Sequence, residues 1–191
     1  DAPASLRDAL KCDAERVAAG RLRFFGHLDV DTCTPPDWQR DHLAKITMPT
    51  EESAFKLNHR ELPDGASIKP LWEPSRWAGP VRLAQACWLL SNRRCGEHCL
   101  DWLEDWVTKN KPFIGWHWTS ALESGLRLIA FTWIDAFLTA FDGRKPTDLG
   151  KRLAKLEDEL VFARSSDYLS ALAGTIGLDC SLKQSGTTEG D

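Results

Sequence analysis

The chain has 191 residues, 42% hydrophobic and 27% charged, which suits one globular domain of ordinary size. Lys plus Arg number 24 against 28 Asp plus Glu, and a net charge of −4 argues against a surface that grips nucleic acid all over. The longest apolar run, 122–141, is broken by Glu123, Arg127 and Asp135, so no membrane insertion is expected.

Residues Ala4 to Ala19 read as a helix, with Leu6, Ala9, Leu10, Ala14, Val17 and Ala18 at helical spacing. Gly20 is its stop signal. From 21 to 70 the periodicity fails and Pro35, Pro36, Pro49, Pro63, Gly65 and Pro70 punctuate a polar stretch. So long a structureless loop is improbable. We expect an irregular, ordered layer pinned by Phe24, Phe25, Trp38, Phe55 and Ile68, of the kind that lines a cleft. No alternating strand pattern stands out.

Pro80 opens a helix to about Leu90. A turn at 91–94 leads into a second helix near Cys95, with Cys95, Cys99, Leu103, Trp106 and Val107 on one face, making an antiparallel hairpin. Lys111-Pro112 ends it. A third helix is expected from Thr119 to Phe141. A turn at 142–146 follows, and Thr147 caps a fourth helix striped by Leu149, Leu153, Leu156, Leu160 and Val161. The expected class is all-α, with antiparallel hairpins side by side over residues 1–175. Residues 176–191 read as a polar tail, disordered or the end of a truncated domain.

The chain starts at Asp1 without a charged-then-apolar leader, which leaves its compartment open. Six Cys are present but no C-x-x-C pair. Cys95, His98 and Cys99 share one helical turn, yet both thiols continue an apolar stripe, so core packing is favoured over a metal site. His27, His42 and His59 are isolated. No G-x-S-x-G, phosphate loop or H-E-x-x-H occurs. Neither a metal nor a cofactor is expected.

Two segments carry most of the chemistry. In the run from Gly115 to Arg127, helical spacing puts Trp118, Leu122, Leu126, Ile129 and Trp133 on an expected core stripe. Ser120, Glu123 and Arg127 fall on another face. Glu123 and Arg127 stand at i,i+4, the order that favours an ion pair. A sharper reading makes Trp116, His117, Trp118 and Arg127 a cleft wall, since indoles stack on sugar rings and a helix start attracts anions.

The second segment, Lys69 to Trp77, sets Trp72, Trp77, Lys69 and Arg76 around a Pro-bounded turn and reads as a ligand rim. From Lys56 to Arg94 there are seven basic residues (56, 60, 69, 76, 82, 93, 94) and three acidic ones (61, 64, 73). Such a stretch suits an anionic polymer of rings, with acidic polysaccharide ahead of single-stranded nucleic acid. A solvated face with structural Trp remains the plain alternative.

Taken in order, GRLRFFG (20–26), PPDW (35–38), IKPLWEPSRW (68–77), VRLAQACWLL (81–90) and WHWTSALESGLR (116–127) resemble the N-terminal α-helical domain of the heparinase II/III-like polysaccharide lyases, whose relatives include alginate lyases. The likeness covers residues 10–140. It implies part of an incomplete (α/α) toroid, ordinarily followed by a β-sandwich domain. The implied reaction is β-elimination at a uronic acid, where the carboxylate is neutralised and a base and an acid serve the C5 proton.

The family's Asn-His pair would fall near residues 168–178, where neither residue occurs, and no His follows His117. Tyr168 is the sole Tyr and is not given the catalytic role. No catalytic residue is therefore assigned. The chain reads either as a fragment that stops before the catalytic portion or as a divergent member.

The resemblance implies substrate binding by Trp72, Glu73, Arg76, Trp116, His117, Trp118, Glu123 and Arg127. It implies an acidic polysaccharide as partner, a C-terminal catalytic and β-sandwich portion elsewhere, and a periplasmic or extracellular location. A non-catalytic glycan-binding scaffold is the alternative. An (α/α)-barrel glycoside hydrolase would instead need two carboxylates, among Glu73, Glu123 and Asp135, facing each other roughly 5–10 Å apart.

Overall fold

A computed structural model describes residues 2–62, 65–144 and 148–161, with side chains up to Leu156. Helix α1 (Ala4–Ala18) buries Leu10, Ala14 and Val17. Gly20 ends it with φ +75°, and a Cβ there would lie 2.4 Å from the Thr32 carbonyl oxygen. Both the left-handed turn and that close approach demand glycine.

The following segment departs from the expected irregular layer. Strands β1 (Arg21–Phe24) and β2 (Leu28–Asp31) form an antiparallel hairpin, with Arg21 opposite Asp31 and Arg23 opposite Asp29. Strands β3 (Arg40–Asp41) and β4 (Ile46–Thr47) form a second, smaller one. The protein is therefore mostly helical, with two small sheets, and not all-α. The strands span only two to four residues, too short for alternation to stand out. Among the expected pins, Phe24, Trp38 and Ile68 are buried, whereas Phe25 and Phe55 are exposed.

The Pro-bounded turn is also a helix, α2 (Ile68–Ser75). Pro70 falls in its first turn, where no intrahelical N–H bond is lost. Buried Asp41 accepts the Ser67 backbone N–H at 2.9 Å and those of Leu43 and Ala44, tying the β3–β4 loop to the start of α2. Trp72 and Trp77 are buried, so the supposed rim is core.

Helices α3 (Ala78–Leu90) and α4 (Arg93–Lys109) form the expected hairpin. A 3₁₀ turn at Trp116–Trp118 precedes α5 (Ala121–Asp142), and α6 (Leu149–Val161) follows. Thr147, Tyr168 and the tail 176–191 lie outside the described residues. Helix α3 is the hub: α1, α4 and α5 pack on it, and α6 packs on α4 and α5. Close approach is built in at Gly96, where a Cβ would meet Cys87 Sγ and Leu149 Cδ1, each at 2.8 Å. Trp38, Trp77, Trp102 and Trp106 fill the centre.

Helix α5 reverses the expected stripe. Leu122, Ile129 and Trp133 are 69%, 60% and 56% exposed, while Glu123, Ser124 and Arg127 are buried beside Ala130, Phe131, Ile134, Leu138 and Phe141. Apolar residues lie on both faces, so periodicity alone left two solutions. The polar groups on the buried face have partners there. By length and composition α5 would suffice to cross a membrane, a test that the core helix of a soluble protein also passes. Its inner face sets Glu123, Ser124 and Arg127 beside Ala130, Phe131, Ile134, Leu138 and Phe141.

Candidate functional site

The eight residues singled out by sequence converge where α2, the 3₁₀ turn and α5 meet. Arg76, in the residue after α2, holds the centre. Its Nε and Nη2 donate to Glu123 Oε2 and Oε1 at 2.7 and 2.6 Å, a bidentate pair, and its Nη1 donates to Glu73. Glu73 also accepts the Phe25 backbone N–H at 3.0 Å. The β1–β2 turn, α2 and α5 are thereby joined through one guanidinium. The carboxylate of Glu123, then burial opposing it, governs Arg76, and the net effect raises its pKa and keeps it charged.

The buried turn is locked from both ends. Trp72 Nε1 donates to the Trp116 carbonyl at 3.1 Å, and Trp116 Nε1 to that of Pro49 at 2.8 Å. His117 Nε2 lies 2.7 Å from the Trp38 carbonyl and donates to it, leaving a buried Nδ1 without a partner. Burial foremost, then the charge of Arg127, pushes the His117 pKa down to about 3. The ring is neutral at physiological pH and is no ready proton donor.

Arg127 Nη2 donates to the His117 carbonyl at 2.8 Å and to Ser124 Oγ at 3.0 Å. Its guanidinium lies 5.1 Å from the Trp106 ring centroid and 5.3 Å from that of Trp118, within cation–π range. The ion pair expected on α5 is thus rearranged. Glu123 gives both oxygens to Arg76, and Arg127 serves the turn.

Most of this cluster is scaffold. Glu123 is 2% exposed, and Trp72, Trp116, His117 and Arg127 are also buried. Arg76 keeps 30% of its side chain accessible, and Trp118 is half-buried. Glu73 and Glu123 do face one guanidinium, but both are spent on it. A free acid–base pair for a glycoside hydrolase is not what they form. The basic stretch is likewise not one patch: Arg82 pairs with Asp13 and Arg93 with Glu97.

Sequence reasoning named Phe55 only as a pin of the irregular layer and missed Phe113, and these two bring the site to the surface. The segment at 52–54 pairs with 113–115: Ala54 N–H donates to the Phe113 carbonyl and Gly115 N–H to that of Glu52, each at 2.8 Å. This stacks Phe55 on Phe113 at 5.6 Å, and Phe113 lies 5.9 Å from Trp118. An aromatic file therefore runs from exposed Phe55 through Phe113 to Trp118 above Arg127. Phe55 and Phe113 sit 58 positions apart, and no local pattern joins them. Trp106, read only as helix stripe, donates to Ser75 Oγ at 3.2 Å and underlies Arg127.

The thiols settle as core groups. Cys87, Cys95 and Cys99 are buried, and burial raises all three, Cys87 to about 12. Among the described residues no three His, Cys, Asp or Glu side chains are grouped to hold a metal. No known family, no curated protein and no solved structure matches the chain.

Proposed function

We propose that the chain is the N-terminal, substrate-binding portion of a polysaccharide lyase that cleaves uronic acid glycans by β-elimination. The observation that carries this reading is the coupling of its two motifs. The W-E-x-x-R and W-x-S-A-L-E-x-x-x-R elements meet through Arg76 and Glu123, and the second holds Trp118 at the end of an accessible aromatic file. Sugar rings stack on such faces, and exposed Lys56 and Lys111, next to Phe55 and two residues before Phe113 in the chain, suit carboxylates or sulfates.

Proton removal at C5 falls to residues outside this chain, in a C-terminal catalytic and β-sandwich portion. The outward stripe of α5 supports an unfinished array. In the hairpin order α3–α4, α5–α6, the next hairpin of a toroid would cover Leu122, Ile129 and Trp133. Because the polymer lies outside the cytoplasm, the reading carries a periplasmic or extracellular location. A non-catalytic glycan-binding scaffold shares the aromatic file and differs only in having no catalytic half.

The test is binding of this chain to heparan sulfate, alginate and hyaluronan at graded salt, beside an ultraviolet assay for unsaturated product on a longer chain that continues the array. We expect salt-sensitive binding that Phe55→Ala weakens about five- to tenfold, from a stacking contribution near 1 kcal/mol. Product from the longer chain names the substrate. Binding without product there supports the scaffold, and no binding to any uronate polymer overturns both.

A further inference from the structure

Away from the aromatic file, a cavity of about 630 Å³ opens between α1 and the α3–α4 turn. That volume lies within the range of small-molecule sites, roughly 300–1,000 Å³. Some surface cations, Arg21, Arg40 and Arg60 among them, have no ion-pair partner among the described residues, whereas Arg16, Arg23, Arg76, Arg82, Arg93 and Arg152 engage carboxylates. Arg7, Lys11 and Arg94 line the cavity, and among the described residues none of the three has an ion-pair partner.

Arg7 and Lys11 stand one turn apart on α1. Arg94 faces them from the first turn of α4, which carries two arginines, no acid and no side-chain cap. Cations are disfavoured there by the helix dipole, and an anion offsets that cost. Ala14, Ala18 and Leu90 make an apolar lining. Cys95, 9% exposed, also lines the space.

We propose that this cavity binds a small organic oxyanion, an apolar body ending in a phosphate or carboxylate, with Arg7, Lys11 and Arg94 on the oxyanion and the body over Ala14, Ala18 and Leu90. Asp8 and Glu15 also line the cavity and repel a polyanion. The site therefore takes a compact ligand and not the acidic polymer, and it stands whether or not the glycan reading does.

The experiment titrates the full chain with phenyl phosphate, benzoate, inorganic phosphate and benzyl alcohol by calorimetry. Phenyl phosphate or benzoate should saturate one site, and which of them binds tighter tells phosphate from carboxylate. Inorganic phosphate and benzyl alcohol should each bind at least tenfold more weakly. Arg94→Gln, an exposed position whose variant is checked for native circular dichroism, should weaken binding about tenfold or more, from the loss of a charge-assisted hydrogen bond.

Two results overturn the proposal: no saturable binding of either aromatic oxyanion, or equal affinity in a natively folded Arg94→Gln.

Discussion

The first turns of α5 are allocated against hydropathy, unlike its later ones. The inner face buries a glutamate and an arginine, and the outer face leaves Leu122, Ile129 and Trp133 in water. Hydropathy alone does not choose between the faces, because apolar residues line both. What decides is the set of partners. Arg76 meets Glu123 with two hydrogen bonds, and a carbonyl, a hydroxyl and two indoles meet Arg127. Buried charges are tolerated where they are paired and bonded. The lesson is that a helix face is chosen by what the neighbouring elements offer it.

Glu123→Gln attacks that allocation most directly. It should cost about 3 kcal/mol in urea unfolding, the low end for breaking a buried pair, because Arg76 keeps Glu73 and some water. A loss under about 1 kcal/mol would mean that α5 is held by its apolar residues alone. Leu138→Ala against Leu122→Ala sharpens the contrast between faces. The first removes a fully buried side chain and should cost about 2–4 kcal/mol. The second should stay within about 0.5 kcal/mol.

His117 offers a pH readout. Its ordinary pKa of 6.5 falls to about 3 in the folded protein, so between those values the unfolded state binds the extra proton. The stability from the neutral ring is complete above pH 6.5 and declines as pH drops toward 3. His117→Gln keeps a donor for the Trp38 carbonyl, and its stability should fall less steeply than the parent's across that window. Parallel curves would show that the ring is not kept neutral by the fold.

The smallest effect is expected at Arg152, which bridges Asp101 and Glu104 on the half-exposed α4–α6 seam. Arg152→Gln should cost about 1 kcal/mol or less, and the difference should shrink in high salt.

Much of the helical frame was legible in the chain. The end of α1 at Gly20 and the α3–α4 hairpin follow from glycine and from helical spacing. The site residues were legible as a set because both motifs carry Trp, Glu and Arg in tight spacing. Their burial was not, since the partner of Glu123 is 47 positions away on α2's end. The β1–β2 hairpin escaped notice because its exposed face holds Arg21, Arg23, Asp29 and Asp31. Those charges read as a polar loop until the register sets Arg23 opposite Asp29. The file from Phe55 to Trp118 depends on a pairing between two loops that no periodicity records.

Trp133 has a use of its own. All nine tryptophans fall among the described residues, and Trp133 alone is exposed. Its indole should emit at the red edge and meet iodide most readily, since Trp88 and Trp118 are half-buried and the other six are buried. A collisional quencher therefore reports chiefly on the outer face of α5 in the native chain, with no label attached. Whatever settles on that face, a further hairpin or another molecule, should shield one indole and shift the red edge of the emission toward the blue.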